Sequence, residues 1–307
     1  MASILAKTLK HDKKTVYCPR NYGMRILRTC AGDLDFSQRP FLMGILNVTP
    51  DSFSDGARYV APEDAISRAE AMAEEGARLI DIGGESTRPG ADPVTLDEEL
   101  RRVVPVVEIL AARLPGVAFS VDTTKAEVAR RCLDAGASLV NDVSALRSDP
   151  DMAGVIKDHG VPVILMHRKG NPQTMQDNPA YDDVVNDVLS FLTDRIDFAL
   201  SRGLRKEQLL ADPGFGFGKT VEHNVELLRR FDSFSSLNVP LVVGASRKSF
   251  IGKILGGAER PLPPEDRLEG TLAVHLWAAA RGAHILRVHD VGATARALAL
   301  WKTLERH

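Results

Sequence analysis

Three consecutive stretches, FLMGILN (41–47), APEDAISRAEAMAEEGA (61–77) and LIDIGG (79–84), decide the fold of this chain. The first and third are short and mostly apolar, as strands covered on both faces are. The middle stretch has helical periodicity: Pro62 lies near its first turn, acidic residues follow, and Gly76 marks its end. A strand, a helix and a second strand in this order predict a crossover unit with parallel strands.

The same alternation continues to the end of the chain. The eight strand candidates are FLMGILN (41–47), LIDIGG (79–84), AFSVD (118–122), LVNDV (139–143), PVILMH (162–167), LLADP (209–213), PLVVGAS (240–246) and ILRVH (285–289). Eight such units in 307 residues predict an α/β fold of the closed (β/α)8 TIM-barrel type. An open doubly wound sheet is the alternative, since it would need only a different strand order.

Residues 1–40 stand outside this repeat. Within them, YGMRILRT (22–29) is typical of a short strand, which we expect to form a hairpin over the barrel floor. The long irregular stretches of the chain all follow strands, and none resembles a linker between domains. We therefore predict one domain over residues 1–307, with an N-terminal extension (1–40) and a barrel (41–307).

Composition excludes several classes of protein. A formal net charge of -2, with 44% hydrophobic and 26% charged residues, gives no broad basic surface for nucleic acid. No run of about 18 apolar residues and no signal peptide are present, so we expect no membrane association. The three cysteines have no metal-ligand spacing, which is typical of reduced thiols in the cytoplasm.

The stretch DPGFGFGKT (212–220) resembles a phosphate-binding loop at first sight. A P-loop needs four residues between its first glycine and the Gly-Lys-Thr, whereas Gly214 is followed by only three. The G-x-G-x-G spacing also differs from the G-x-G-x-x-G of dinucleotide loops. The stretch is therefore a glycine-rich turn with an acid, Asp212, at its front.

Polar side chains follow nearly every strand candidate, where a barrel assembles its active site. They are Asn47, Glu85, Ser86, Thr87, Arg88, Asp122, Asn141, His167, Asp212, Ser246, Arg247, Lys248, Arg287 and His289. Asp122 could instead cap the next helix. Capping does not explain the cations, however, or Arg287 and His289 on one face of the last strand. Acids and bases together indicate a ligand with a polar heterocycle at one end and an anion at the other.

The motifs GILNVTPDSFSDG, DIGGESTRPG, SVDT, NDVSA, LMH, DPGFGFGK, GASRKSFIG and RVHD occur in this order. In sequence and separation they resemble the dihydropteroate synthase family over roughly residues 40–307. The resemblance implies a (β/α)8 transferase that joins 4-aminobenzoate to 6-hydroxymethyl-7,8-dihydropterin diphosphate and releases diphosphate. The leader before residue 40 and the charged pair Arg168-Lys169 depart from the family pattern.

The resemblance also implies roles for single residues. Asp212 would accept hydrogen bonds from the pterin donors, with Asp122 and Asn141 completing the set and Lys248 binding the carbonyl side of the ring. Arg287 and His289 would bind the diphosphate, where charge accumulates as the C–O bond breaks. Asn47 would donate an oxygen ligand to a Mg²⁺ ion that the substrate brings with it.

Two loops and one helix start would form the aminobenzoate site. Phe53, flanked by Asp55, lies in a loop expected to close over the substrate, and Pro89 and Phe217 would form apolar walls, although Phe217 could be a core aromatic. Thr87 and Arg88 are assigned to substrate binding, Arg88 as an anion contact. The Ser249 hydroxyl at a helix N-terminus would hold the aminobenzoate carboxylate. The predicted catalytic set is Asp55, Asp122, Asn141, Asp212 and Lys248.

The implied mechanism is dissociative: diphosphate leaves first, the acids around the pterin support the cationic carbon, and the aryl amine attacks without a strong general base. Two other functions stay open from the sequence. A pterin-binding methyltransferase barrel would share the acids and the asparagine, and a catalytically silent pterin-binding subunit would share the fold. The last two helices, rich in Ala, Leu and Trp, further predict a homodimer.

Overall fold

The computed structural model describes residues 26–38, 40–49, 62–86, 92–170 and 174–305. Eight parallel strands alternate with helices in this part of the chain, which confirms the predicted (β/α)8 barrel. The barrel strands are β3 (Phe41–Asn47), β4 (Leu79–Gly83), β5 (Ala118–Asp122), β6 (Leu139–Asp142), β7 (Val163–Met166), β8 (Leu209–Asp212), β9 (Val242–Val243) and β10 (Ile285–Val288). Their spatial order is β8-β7-β6-β5-β4-β3-β10-β9.

The two ends of this sheet meet and close the barrel. A parallel bridge joins Ala211 in β8 to Leu241, the residue before β9. The amide of Ala211 also donates to the carbonyl of Pro240 at 2.9 Å. Because the two end strands of the sheet meet at this bridge, the sheet forms a nearly closed barrel and is not an open doubly wound sheet.

Strand β9 is much shorter than the predicted 240–246. The Pro240 nitrogen has no hydrogen to donate, so regular pairing cannot begin there. At the other end, Arg247 adopts a left-handed φ of 57°, which turns the chain toward the next helix. The other seven predicted strands agree with the observed ones to within a residue at each end.

Some of the helices begin after a capping side chain, and the first begins at a proline. The barrel helices are α1 (Pro62–Glu74), α2 (Leu96–Arg113), α3 (Ala126–Asp134), α4 (Met152–His159), α5 (Val184–Ser201), α6 (Val221–Arg229), α7 (Ser249–Gly256), α8 (Leu268–Ala280) and α9 (Val291–Glu305). Asp183 caps α5 by accepting from the amides of Val185 and Asn186 at 3.0 and 3.1 Å. Thr220 caps α6, which explains the last residue of the DPGFGFGKT stretch.

An antiparallel hairpin of β1 (Ile26–Thr29) and β2 (Gly32–Asp35) closes the barrel floor, as predicted. Its buried residues Leu27 and Leu34 pack with Phe36 against the amino-terminal ends of the barrel strands, where Met43 and Leu79 lie. The hairpin thus seals one end of the barrel with apolar side chains. Only the opposite end, at the carboxyl termini of the strands, is available for a site.

The main apolar core lies between the strands and the helices that surround them. Among the residues that the structure describes, no helix is long and apolar enough to cross a membrane.

Candidate active site

Arg287 lies at the centre of the open end of the barrel and joins two carboxylates from other strands. Its Nε donates to Asp81 Oδ2 at 2.6 Å, and its terminal nitrogen donates to Asp122 Oδ2 at 2.8 Å. Asp81 is fully buried and Asp122 is 7% exposed. Burial and hydrogen bonding make this a strong ion pair with little screening by water.

Two carboxylate oxygens of this cluster are buried without a partner. The amide nitrogen of Asn141 donates to Asp81 Oδ2 at 2.9 Å, so that oxygen is fully engaged. Asp81 Oδ1 and Asp122 Oδ1 have no hydrogen-bond partner. Because an unpaired buried acceptor is costly, these oxygens indicate a ligand that brings N–H or O–H donors.

Burial also controls the protonation of the acids. Burial raises the pKa of Asp122 to about 7, with a further increase from Asp81 and an opposing decrease from Arg287. Burial raises the pKa of Asp212 to about 6, against the hydrogen bond from the amide of Gly214 and the attraction of Arg287. Both carboxylates therefore titrate close to neutral pH.

The glycine-rich stretch after β8 forms a tight turn over residues 213–218, which is called the glycine turn below. Its glycines, Gly214, Gly216 and Gly218, have left-handed φ angles of 69°, 80° and 64°. A side chain at Gly214 would overlap the carbonyl oxygen of His167, and one at Gly218 would overlap that of Lys169. The turn thus needs glycine for its backbone angles and for its close approach to the end of β7.

Lys219 supports this turn from inside the protein. Its Nζ lies 2.8 Å from the carbonyl oxygen of Gly214, 3.1 Å from that of Phe217 and 2.9 Å from His167 Nδ1. The lysine therefore contacts carbonyls of its own turn. This geometry agrees with the rejection of a P-loop from the spacing of the glycines.

Lys248 and Phe217 meet at the edge of the site. The ammonium of Lys248 lies 3.8 Å from the ring centroid of Phe217, within cation–π range. Phe217 is 7% exposed and packs with Val143, Met166 and Met175 in a small apolar cluster. Phe217 thus has core contacts on one side and the cation on the other.

Arg287 on β10 and His289, which follows the end of that strand, take different partners. His289 Nδ1 lies 2.9 Å from the hydroxyl of Ser246. Ser246 follows β9 and His289 follows β10, the strand that pairs with β9. Arg287 lies deeper, on the buried acids. The structure thus places Arg287 between the carboxylates and His289 nearer the mouth.

Asn47 and Ser249 lie at the open end as predicted. Asn47 ends β3 and is half-buried, and Ser249 is the exposed first residue of α7. In the described ranges, no three His, Cys, Asp or Glu side chains are grouped to hold a metal ion. One amide oxygen suits a Mg²⁺ ion that takes most of its ligands from water and substrate phosphate.

Five predicted site residues cannot be placed. Phe53, Asp55, Thr87, Arg88 and Pro89 lie outside the described residues. The structure does position the start of the STRPG loop: the carbonyl of Gly84 accepts from Arg102 at 2.8 Å, and Lys125 bridges Glu85 and the buried Glu99.

Two site residues were missed from the sequence, and one alternative proves wrong. Asp81 and Lys219 were not assigned a role, although a carboxylate inside an apolar strand was a usable signal for Asp81. The capping explanation of Asp122 fails, because Lys125 begins α3 and the amide of Ala126 donates to Asp149 instead. His275 is fully buried in α8, where its Nδ1 lies 2.8 Å from the carbonyl oxygen of Thr271.

Comparison with known proteins gives a consistent assignment. The family described as pterin binding enzyme matches residues 43–289. The chain is 50% identical over 265 residues to the dihydropteroate synthase of Escherichia coli K12, covering 86% of this chain and 91% of that protein.

Solved structures agree with the sequence relatives. A Xanthomonas albilineans dihydropteroate synthase with 4-aminobenzoic acid superimposes with a TM-score of 0.85 at 49% identity, covering 92% of this chain and 99% of that one. The same protein in complex with 7,8-dihydropteroate gives a TM-score of 0.81 at 47% identity, covering 91% and 98%. With its fold, its acidic cluster and these relatives, the chain belongs to the dihydropteroate synthase family of pterin-binding enzymes.

Proposed function

We propose that this protein is a transferase that condenses (7,8-dihydropterin-6-yl)methyl diphosphate with 4-aminobenzoate, giving 7,8-dihydropteroate and diphosphate. Relatives at 47–50% identity are named dihydropteroate synthase, and solved relatives hold 4-aminobenzoic acid or 7,8-dihydropteroate. The activity therefore belongs to folate biosynthesis.

The observation that carries the proposal is the pair of orphaned carboxylate oxygens, Asp81 Oδ1 and Asp122 Oδ1. A pterin presents an amino group and a ring N–H side by side, beside a carbonyl acceptor. Carboxylates accept such donors strongly because the hydrogen bonds are charge-assisted. Asp122, Asn141 and Asp212 would hold the donor edge, and Lys248 would donate to the carbonyl.

The acids also suit a substitution in which diphosphate departs before the amine attacks. Three carboxylates, Asp81, Asp122 and Asp212, are buried within one site. Among the described residues, Arg287 is the one cation that forms an ion pair with Asp81 and Asp122. Their negative potential in a low-dielectric site stabilises positive charge that develops on the pterin methylene. The aryl amine needs no general base from the protein, because its conjugate acid is strongly acidic once the C–N bond has formed.

Cations at the mouth suit the leaving group. We assign diphosphate contacts to His289 and Arg287, with Arg88 in the STRPG loop as a third contact. Arg287 would contact the diphosphate end of the substrate and would also hold Asp81 and Asp122 in place at its pterin end. A Mg²⁺ ion carried by the diphosphate, with Asn47 as its protein ligand, would supply charge neutralisation of the leaving group.

The aminobenzoate would lie between Phe217 and the loops that carry Phe53 and Pro89. Its carboxylate would face Ser249 at the start of α7, where backbone amides point outward. This arrangement places the amine toward the pterin methylene. Asp55 and Thr87, on the same two loops, would contact the substrates from above.

We also propose a homodimer in the cytoplasm. Apolar side chains on α8 and α9 stay exposed, with Trp277 at 44%, Leu300 at 64% and Leu304 at 68%. Exposed patches of this kind mark association surfaces. The free thiols Cys30 and Cys132 suit a reducing compartment.

A diphosphate-release assay tests the function. Purified protein with Mg²⁺ and the pterin diphosphate should release diphosphate rapidly only when 4-aminobenzoate is present. A methyltransferase barrel or a silent subunit would release none under either condition, and such a result would end the proposal.

A further inference from the structure

Lys219 is a buried cation that the proposed reaction leaves unexplained. Its side chain is 3% exposed, and buried lysines normally have an acidic partner because an isolated ammonium is costly to take out of water. Among the described residues, no carboxylate forms an ion pair with it. Its contacts are two backbone carbonyls and one imidazole nitrogen.

These contacts match the chemistry of an ammonium group. A protonated lysine has three N–H donors, and Lys219 has three acceptors: the carbonyl oxygens of Gly214 and Phe217, and His167 Nδ1. His167 must then accept at Nδ1 and be neutral, and burial together with Lys219 lowers the pKa of His167 to about 2. Loss of the ammonium would leave buried acceptors unpaired, and such groups are costly.

Two of the three acceptors belong to residues that hold Asp212. The amide of Gly214 donates to Asp212 Oδ1 at 2.7 Å, while its carbonyl accepts from Lys219. The amide of His167 donates to the Asp212 carbonyl at 3.0 Å, while its ring accepts from Lys219. Lys219 therefore connects the two groups that fix the backbone and the carboxylate of Asp212.

The titratable groups around Lys219 come from four elements. Asp212 at the end of β8 attracts the ammonium, and Lys248 before α7 repels it. His167 at the end of β7 stays neutral, and His223 on α6 has a lowered pKa. Burial is the largest influence and lowers the pKa of Lys219 to about 7.

We propose that Lys219 is a positioning residue: its ammonium holds the glycine turn (213–218) against the end of β7 and thereby sets the Asp212 carboxylate for the pterin ring. The inference rests on the proposed function, since it assumes that Asp212 receives the pterin. It assigns no contact between Lys219 and substrate.

The test compares Lys219→Met with wild type, using 6-hydroxymethylpterin as the probe in calorimetry from pH 6.5 to 9. Methionine keeps the length and the apolar stem but donates no hydrogen bond. Lys206→Met is the matched control, because Lys206 is exposed in the short helix before β8, at the floor of the barrel.

Lys219→Met should bind the pterin at least about tenfold more weakly than wild type at pH 6.5. The ratio should be smaller at pH 9 than at pH 6.5, since the wild-type side chain has then lost its charge and one of its three N–H donors but keeps the other two. Ionisation of the ligand itself affects all three proteins equally. A folded Lys219→Met protein within twofold of wild type at pH 6.5, or a ratio that is constant with pH, would overturn the inference.

Hydrogen exchange in the ligand-free protein gives an independent test. Amides of residues 213–218 should exchange faster in Lys219→Met than in wild type, whereas those of Lys206→Met should not. If Lys219→Met fails to fold, the same measurement on wild type tests the positioning role. The protection of the glycine-turn amides should then fall between pH 6.5 and 8 by more than the intrinsic pH dependence of exchange. Unchanged protection would refute the positioning role of Lys219. If neither wild type nor Lys206→Met binds the pterin, the proposed function is refuted instead. The exchange result, which is measured without ligand, would still show whether Lys219 holds the glycine turn.

Discussion

Replacing Arg287 with methionine should destabilise the fold in a pH-dependent manner. Arg287 is the only direct cationic partner of Asp81 and Asp122 among the described residues, at 2.6 and 2.8 Å. Removing one partner of a buried ion pair typically costs about 3–5 kcal/mol, because the remaining charge is left uncompensated. With Asp81 fully buried and Asp122 7% exposed, solvent screening does little to reduce this cost.

The pH dependence follows from Asp122. Its folded-state pKa is already raised to about 7, mainly by burial, and Arg287 opposes the increase. Without Arg287 this pKa rises further, so the folded state binds a proton at pH values where the unfolded chain does not. A carboxylate with a raised folded pKa loses stability as the pH rises. The loss caused by Arg287→Met should therefore be about 1.4 kcal/mol larger at pH 8 than at pH 5.5, the free energy of one pKa unit between 7 and 8.

Urea unfolding of wild type and Arg287→Met at the two pH values measures this difference. Arg113→Met is the control, since its pair with Glu70 at 3.1 Å is exposed and should show little effect at either pH. Adding Asp122→Asn to Arg287→Met should recover stability at pH 8. A loss below about 1 kcal/mol at pH 8, or an equal loss at both pH values, would refute the reasoning about the buried acids.

Three further outcomes are expected. Pterin affinity should fall once the pH drops below about 7 and more steeply below about 6, by about tenfold per pH unit for each acid, because burial raises the pKa of Asp122 to about 7 and that of Asp212 to about 6, and a protonated carboxyl group cannot accept both donors; calorimetry from pH 4.5 to 8 would contradict this by showing a flat profile. Lys248→Ala and Asp212→Ala should each lower turnover by at least about 10²-fold in folded protein, since each leaves a buried pterin group unpaired and misplaces the reacting carbon, and near-normal steady-state rates would remove these residues from the site. Light scattering at micromolar concentration should give the mass of a dimer, and Trp277→Arg should shift it toward monomer if the α8–α9 surface forms the contact; monomer mass for wild type would exclude the dimer.

The strands were predictable because local sequence determines them. FLMGILN and AFSVD coincide with β3 and β5 to the residue, since each apolar run ends in a polar residue, Asn47 or Asp122. The predicted strand PLVVGAS (240–246) is only Val242–Val243 in the structure. Strand pairing depends on the neighbouring strands and on the backbone N–H that Pro240 lacks, and the apolar pattern of the sequence shows neither of these.

The acidic centre of the site was only partly predictable. Asp122, Asn141 and Asp212 end their strands, so the barrel rule places them at the open end. Asp81 lies inside β4, two residues before the end of that strand. Its hydrogen bond with Arg287 joins residues that are 206 positions apart in the chain. That contact exists only after the barrel closes, so no local pattern could show that Arg287 pairs with Asp81 and Asp122 in addition to its proposed contact with the diphosphate.

Lys219 shows a second limit of local patterns. A lysine after three glycines suggests a phosphate contact, yet its side chain bonds to Gly214 and Phe217 carbonyls. The left-handed angles of the turn direct these carbonyls inward, and backbone direction is not visible in residue identity alone.

A crystal structure with a bound 7,8-dihydropterin diphosphate analogue would show directly whether the buried acids hold the pterin. The amino group and ring N–H of the pterin should lie within about 2.7–3.1 Å of Asp122 and Asp212 oxygens, at least one orphaned Oδ1 atom should gain a donor, and Lys248 should contact the ring carbonyl. A pterin bound away from these carboxylates, with Asp81 Oδ1 and Asp122 Oδ1 still unpaired, would contradict it.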